Sequence, residues 1–177
     1  MTELTVAHTA DLDPGTLAEA RAMTFSAFGE DDFTEHDWEH GLGGLHAIVR
    51  DGDTIVGHAA VNQRHLLHEG QVLRAGYVES VAVHPEHRRR GIGHQVIEAL
   101  EPVIERAYDL GGLYATEAGR PLYLSRGWVP WEGHLFALTP DGVVPTPDDE
   151  GGVLVFDTGA LDLTADLTCD YRSGDLW

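Results

Sequence analysis

The sequence predicts an α/β (α+β) fold in which a mixed, mostly antiparallel central sheet is flanked by helices. Three observations predict it. Val78 to Val83, closed by His84-Pro85, is a β-branched run followed by a glycine turn and then by apolar residues at Ile92, Val96, Ile97, Leu100, Val103, Ile104 and Ala107. The order there is strand, turn, amphipathic helix. Short β-branched runs with tight turns come before that unit and read as an antiparallel meander, and further strand-like runs come after it, so the sheet is expected to be mixed.

In chain order, Leu4 to Ala7 reads as an opening strand. Asp13-Pro14 reads as an N-cap with proline at the first helical position, starting a helix that runs toward Phe28 with Leu17, Met23 and Phe25 on its buried side. Gly29-Glu30-Asp31-Asp32 gathers negative charge in a loop before Phe33. Thr34 and Asp37 then form a capping box for a short helix through Trp38 and His40, stopped by Gly41, Gly43 and Gly44. Strands are expected over Leu45 to Val49, Thr54 to Val61 and Arg64 to His68, the last ending at Glu69-Gly70, with Val72 to Val83 returning. In the long helix Pro102 predicts a kink, because it removes a backbone bond. Gly111-Gly112 is expected to end that helix, followed by a strand at Leu113 to Ala115 and one or two helical turns over Arg120 to Arg126. Strands over Trp128 to Leu138 and Val153 to Phe156 complete the pattern, joined by the acidic, turn-rich stretch from Pro140 to Gly152.

With 177 residues and 42% hydrophobic content the chain supports one well-filled core, so a single domain over residues 1–177 is expected. Its one cysteine, Cys169, excludes an intrachain disulfide, and no N-terminal apolar stretch resembles a leader or a span, so a cytoplasmic location is expected. Thirty acids against eleven Lys and Arg give a net charge of −19. Such a field repels nucleic acid and anionic membrane and attracts cationic partners. Whether the acids form a binding site or only a solvated surface depends on their placement.

The turn Arg88-Arg89-Arg90-Gly91-Ile92-Gly93 puts backbone amides at a helix start, where the dipole and unpaired N–H groups favour an anion. It lacks the third glycine of a dinucleotide fingerprint, position 96 being Val, and no Gly-Lys-Ser/Thr follows. Arg-x-x-Gly-x-Gly after a Val-rich strand resembles the acetyl-coenzyme A motif of the GNAT superfamily of N-acetyltransferases. That resemblance implies the GNAT fold, with acetyl-CoA as cosubstrate. Its pyrophosphate would lie on the turn amides and its pantetheine arm along backbone groups of Val81 and Val83.

Aminolysis of a thioester needs a base for the amine proton, a donor to the oxyanion and an acid for the thiolate. Glu79 shares a strand face with Val81 and is the candidate base; a structural alternative is a buried, ion-paired carboxylate. The GNAT resemblance makes Tyr123 the acid and a main-chain amide near Val81 the oxyanion donor, the alternative for Tyr123 being a core aromatic.

Further blocks resemble the aminoglycoside 2'-N-acetyltransferases within that superfamily: Asp32-Phe33-Thr34 with Asp37 to His40, Leu42 to Gly44, Gly76 to Glu79, Leu122-Tyr123 with Ser125 to Trp128, Thr146 to Asp149, and the Cys169 to Trp177 ending. They imply an aminoglycoside-like polycation as substrate, held by Asp32, Asp37, Glu79, Asp149, Asp175 and the terminal carboxylate of Trp177, and a homodimeric enzyme conferring antibiotic resistance. Tyr114 departs from the serine of that family and would narrow the sugar pocket. No metal is expected: His36 with His40 and His84 with His87 do not carry the His-Glu-x-x-His order of a zinc-protease motif or an evident cysteine partner, and read as helical or loop-surface histidines. Two alternatives stay open, a GNAT enzyme acting on another cationic amine (polyamine, peptide or amino-sugar metabolite) and a non-catalytic protein that sequesters cations.

Overall fold

The structure, a computed structural model, describes residues 1–29, 32–157 and 159–177. The chain forms two compact units, Met1–Asn62 with Val78–Pro102, and Gln63–Tyr77 with Val103–Trp177.

In the first unit β1 (Thr2–His8) pairs antiparallel with β2 (Leu45–Asp51), β2 pairs antiparallel with the first part of β3 (Thr54–His68), and β3 neighbours β4 (Gln71–Val83). Helix α1 (Pro14–Phe28) starts as its sequence demands, the Asp13 carboxylate accepting from the Thr16 N–H at 3.0 Å and the Thr16 hydroxyl at 2.6 Å. Ala20, Met23 and Thr24 are buried, while Leu17 and Phe25, expected inside, are half-buried at the margin of a core made with Phe33, Trp38, Ile48, Ile55 and Ala82. The capping box of α2 (Glu35–His40) is present in both directions. Helix α3 (Ile92–Ala107) starts after Gly91 as expected, ends before the Gly111-Gly112 stop that the sequence suggested, and continues through Pro102, after which the chain passes to the second unit. The charged loop before Phe33 is described only at Gly29 and Asp32; Glu30 and Asp31 lie outside the described residues.

The second unit orders its strands β6-β9-β5-β4-β3-β10-β7-β8: β5 is Leu110–Tyr114, β6 Val129–Pro130, β7 Leu135–Thr139, β8 Gly142–Pro145, β9 Val153–Phe156 and β10 Leu167–Cys169. Two pairings, β4 with β5 and β10 with β7, are parallel, so the expected mixed sheet is observed. Its core gathers Leu66, Leu110, Trp131, Leu135, Val153, Val155, Leu167 and the terminal Trp177. Helix α4 spans Arg120–Ser125.

Three expectations are corrected. Arg64 to His68 is the second half of β3, not a separate strand, because Asn62 spends its polarity on the loop after α2, its Nδ2 donating to the carbonyls of His40 and Leu42. The hairpin bend lies instead at Glu69-Gly70, with φ of 48° and 77°, the left-handed pair of a tight two-residue turn. Gly111 and Gly112 do not end the helix but lie inside β5. A Cβ on Gly111 would fall 3.1 Å from Trp128 Cη2 and one on Gly112 2.8 Å from Tyr77 Cδ2, so the glycines admit rings to the strand. Trp128 to Leu138 is broken into β6 and β7, since Glu132 and Gly133 both donate to Leu163 O at 2.9 Å and turn the chain away. Finally, β8 and β10, which no expectation covered, add two short strands, the latter between β3 and β7.

Candidate active site

In the first unit Glu79, Val81 and Val83 are half-exposed on β4 and alternate with buried Ser80 and Ala82, so the three share a face as predicted. The strand is not regular there. Ser80 has φ of 52°, left-handed for a residue that is not glycine, and two hydrogen bonds hold it: His58 Nδ1–H donates to its carbonyl at 3.0 Å, and its hydroxyl donates to Asp37 O at 3.3 Å. The neighbour of Glu79 is thereby tied to α2, where Asp37 lies.

The glycine turn follows a short 3-10 helix at Pro85–His87. Arg89 and Gly91 both have positive φ, 62° and 81°, a winding that turns successive amides into one concavity at the start of α3. The first helical bond runs from Gln95 N to Gly91 O, so the amides of Ile92 and Gly93 precede the internal ladder. Arg89, Arg90 and Gly91 are exposed, and open space surrounds the position a Cβ of Gly91 would take. Arg88 is engaged otherwise, its guanidinium donating to Ala27 O at 2.7 Å and Val83 O at 3.4 Å.

Of the two acids predicted here, Asp32 is exposed and Asp37 half-exposed. One oxygen of Asp37, Oδ2, takes both the Thr34 N–H and the Thr34 hydroxyl at 2.7 Å, so the residue also serves as the cap of its own helix.

The second unit brings three predicted residues together. The ring of Trp177 is buried and its Nε1–H donates to the Thr146 hydroxyl at 2.8 Å, so the chain end is docked. Arg172 fastens it, with Nε to Asp175 O at 2.6 Å and Nη2 to a terminal oxygen of Trp177 at 2.9 Å, so that carboxylate already has a cation on one oxygen. Upstream, Arg64 Nε donates to Asp170 Oδ1 at 2.8 Å and His65 N–H to Oδ2 at 3.0 Å. Beside Thr146, the Asp149 carboxyl is held above the ordinary carboxylate value, first by burial and then by the negative charges of Asp175 and Asp148. Two acids that repel each other in a partly desolvated place are stabilised by an arriving cation. Tyr123 is buried on α4 with its ring edge-on to Trp128 at 6.1 Å. Tyr114 is exposed, and its ring covers the backbone of Gly152, three residues past Asp149.

Sequence reasoning missed Ser80, Thr146 and Arg172. Nothing in a serine announces a left-handed strand residue, and Thr146 and Arg172 acquire their roles from the docked tail. Among the described residues no group of three or more His, Cys, Asp or Glu side chains is placed to hold a metal ion, and no helix is long and apolar enough to cross a membrane.

Residues 12–130 match a family model described as an acetyltransferase (GNAT) domain. The chain belongs to the GNAT family. Within it, the chain is 47% identical over 175 residues to an aminoglycoside 2'-N-acetyltransferase of Mycolicibacterium fortuitum, covering 96% of this chain and 89% of that protein. Two solved structures share the GNAT fold: a GNAT family acetyltransferase from Brucella melitensis in complex with acetyl-CoA, with TM-score 0.62, 16% identity and 97% of each chain covered, and Eis1 from Mycobacterium abscessus, with TM-score 0.61 and 19% identity. The second match covers 77% of this chain but 33% of Eis1, so the present chain spans about a third of that protein. A GNAT enzyme takes its acyl group from acetyl-CoA, and the left-handed Arg89 and Gly91 beside the opening amides of α3 fit a pyrophosphate.

Proposed function

We propose that this GNAT chain acts as one domain over residues 1–177 and acetylates the 2'-amino group of aminoglycosides, conferring resistance to them. The observation that carries this is the 47% identity to an aminoglycoside 2'-N-acetyltransferase across nearly the full length of both chains. The acidic cluster of the second unit supports it, because Asp149 and Asp175 repel each other where a polycation would relieve both.

Bound acetyl-CoA supplies an acyl group activated as a thioester. The amides of Ile92 and Gly93 with Arg89 and Arg90 hold its pyrophosphate, while backbone groups of Val81 and Val83 line its arm. Asp32, Asp37, Asp149, Asp175 and the second oxygen of the Trp177 carboxylate bind ammonium groups. An amine flanked by electron-withdrawing oxygens has a pKa of about 8, so removing one proton is a modest step, and Glu79 takes it directly or through water. As the new C–N bond forms, the amide near Val81 donates to the acyl oxygen. The C–S bond then breaks and the departing thiolate takes its proton from the Tyr123 hydroxyl. A cytoplasmic location and a homodimer complete the proposal.

The test is incubation with acetyl-CoA and either an aminoglycoside carrying a 2'-amine or one carrying a 2'-hydroxyl, following thiol release and product mass. Acetylation of the amine compound alone is expected. Thiol release with neither would overturn the substrate in favour of another cationic amine, and binding without thiol release would overturn catalysis.

A further inference from the structure

The first unit contains a chain of hydrogen bonds that leads from a surface loop to the strand of Glu79. His58 Nδ1 lies 3.0 Å from the carbonyl of Ser80, which only accepts, so Nδ1 carries the proton and Nε2 is an acceptor. His46 Nδ1 lies 2.9 Å from that Nε2 and must donate to it, which leaves His46 Nε2 as an acceptor for the Thr9 hydroxyl at 2.7 Å. Thr9 in turn accepts from the Gly43 N–H at 2.9 Å. The Ser80 carbonyl sets the direction of both histidine links, and the Thr9 hydroxyl, which also has Gly44 O at 3.2 Å, has the shorter contact to His46 Nε2. Both rings are buried with no exposed surface and pack against Trp38, at 5.3 Å from His58 and 6.4 Å from His46. The chain ends on Ser80, the left-handed residue between Glu79 and Val81, whose hydroxyl is tied to Asp37 O.

A left-handed serine inside a strand persists only where its surroundings over-determine it. We propose that His58, oriented by His46 and Thr9, is a positioning residue for acetyl transfer: it holds the Ser80 carbonyl and so fixes the turn of β4 that aims the Glu79 carboxylate and the Val81 amide. This rests on the roles given above to Glu79 and Val81. The arrangement requires both rings neutral. Their surroundings agree, since burial depresses His58 to about 3 with His46 beside it, and depresses His46 to about 4 with His8 adding to the effect. A proton on His58 Nε2 would face the His46 Nδ1–H and break the chain at its centre.

Two measurements test it. Long-range 15N–1H spectra of the imidazoles in the wild-type protein are expected to show the Nδ1–H tautomer for both rings; an Nε2–H tautomer at His58 overturns the proposal without any variant having to fold. Second, His58→Leu removes the donor to Ser80, whereas His58→Asn keeps an N–H near the place of Nδ1. A fall in kcat of about tenfold or more in His58→Leu, with the aminoglycoside KM changed less than about threefold, and recovery of most of that loss in His58→Asn are expected. Exchange of the Val81 amide should quicken in His58→Leu and less so in His58→Asn. Equal kcat in the two variants, or wild-type kcat in His58→Leu, overturns the positioning role. Glu79→Gln, measured alongside, separates the two levels: a wild-type rate there removes the base assignment, while the tautomers and the amide exchange still report on Ser80.

Discussion

Acid should unfold this protein earlier than its carboxylates alone would bring about, because His46 and His58 stay neutral only while folded. The ordinary value of 6.5 falls to about 4 for His46 and about 3 for His58, burial being the larger cause for both. An unfolded chain binds a proton on each ring below about pH 6.5, and the folded chain binds neither until about pH 4. Between those limits the unfolded state holds more protons, so stability is full above the window and is lost as pH falls through it. From about pH 8 to about pH 5 each ring removes about 2 kcal/mol and the pair about 4 kcal/mol, a large share of the roughly 5–15 kcal/mol that holds an ordinary domain. The carboxyls of Asp13, Asp109 and Asp162, held low by hydrogen bonds from Thr16, Arg74 and Thr164, lose their contribution only below that interval. His134, raised by the hydrogen bond it donates to the Glu150 carboxylate, works in the opposite direction but is exposed. Urea titrations followed by tryptophan fluorescence at several pH values between about 8 and 5 would measure the loss, and His58→Asn should remove about half of it. An unchanged pH dependence in that variant would refute the linkage.

Other perturbations have separate readouts. Gly112→Ala places a methyl 2.8 Å from the Tyr77 ring and should cost about 1–3 kcal/mol in a denaturant titration, with a wild-type midpoint counting against the packing account. Trp177→Ala removes a buried ring and the donor to Thr146; a loss of about 3–5 kcal/mol is expected, with a higher aminoglycoside KM. Asp175→Asn should bring the Asp149 carboxyl down toward its ordinary value in a 13C titration. It should also raise the aminoglycoside KM up to about fivefold with a weaker dependence on salt, and an unmoved Asp149 would show that the two acids do not sense each other. Glu79→Gln should lower turnover most at low pH, where the amine is protonated, and Tyr123→Phe should slow thiolate departure; wild-type rates in both would remove the proposed chemistry.

Local signals were legible wherever the chain interacts with itself over a few residues. The Asp13 cap, the Thr34–Asp37 box and the start and apolar face of α3 follow from spacing alone, and all three are observed. Elements decided by distant partners were not. Asn62-Gln63 looks like a break until Asn62 is seen to bond the loop after α2, and Gly111-Gly112 looks like a helix stop until Tyr77 and Trp128 are seen against it. The three residues of β10 are too few to register as a strand without β3 and β7 on either side. The histidines show the same limit. Pairs at helical spacing drew notice, yet His36 is exposed and pairs with Glu39 at 3.2 Å, whereas His46 and His58, twelve residues apart, meet across paired strands at a position no sequence spacing marks.

Net charge by itself says little about recognition, because many of the acids have structural work nearby. Asp13 and Asp37 cap helices, Glu19 meets Arg50, Asp109 meets Arg74, and Asp170 fastens the tail through Arg64. Each of these is satisfied by a partner of the chain's own. Asp149 differs in kind, since burial and the charges of Asp175 and Asp148 raise its carboxyl and a side-chain bond with Thr146 offsets them only in part. A folded chain tolerates such a group at a loss of stability, and a bound cation recovers that loss, so the recovered energy becomes binding energy for the cation and for nothing neutral. Arg172 donates to Asp175 O and Trp177 O and so keeps the tail in place. In the proposed site, selectivity for a polycation would follow from the repulsion at Asp149, which its bond with Thr146 offsets only in part, and the remaining surplus of negative charge would serve mainly to bring the substrate there.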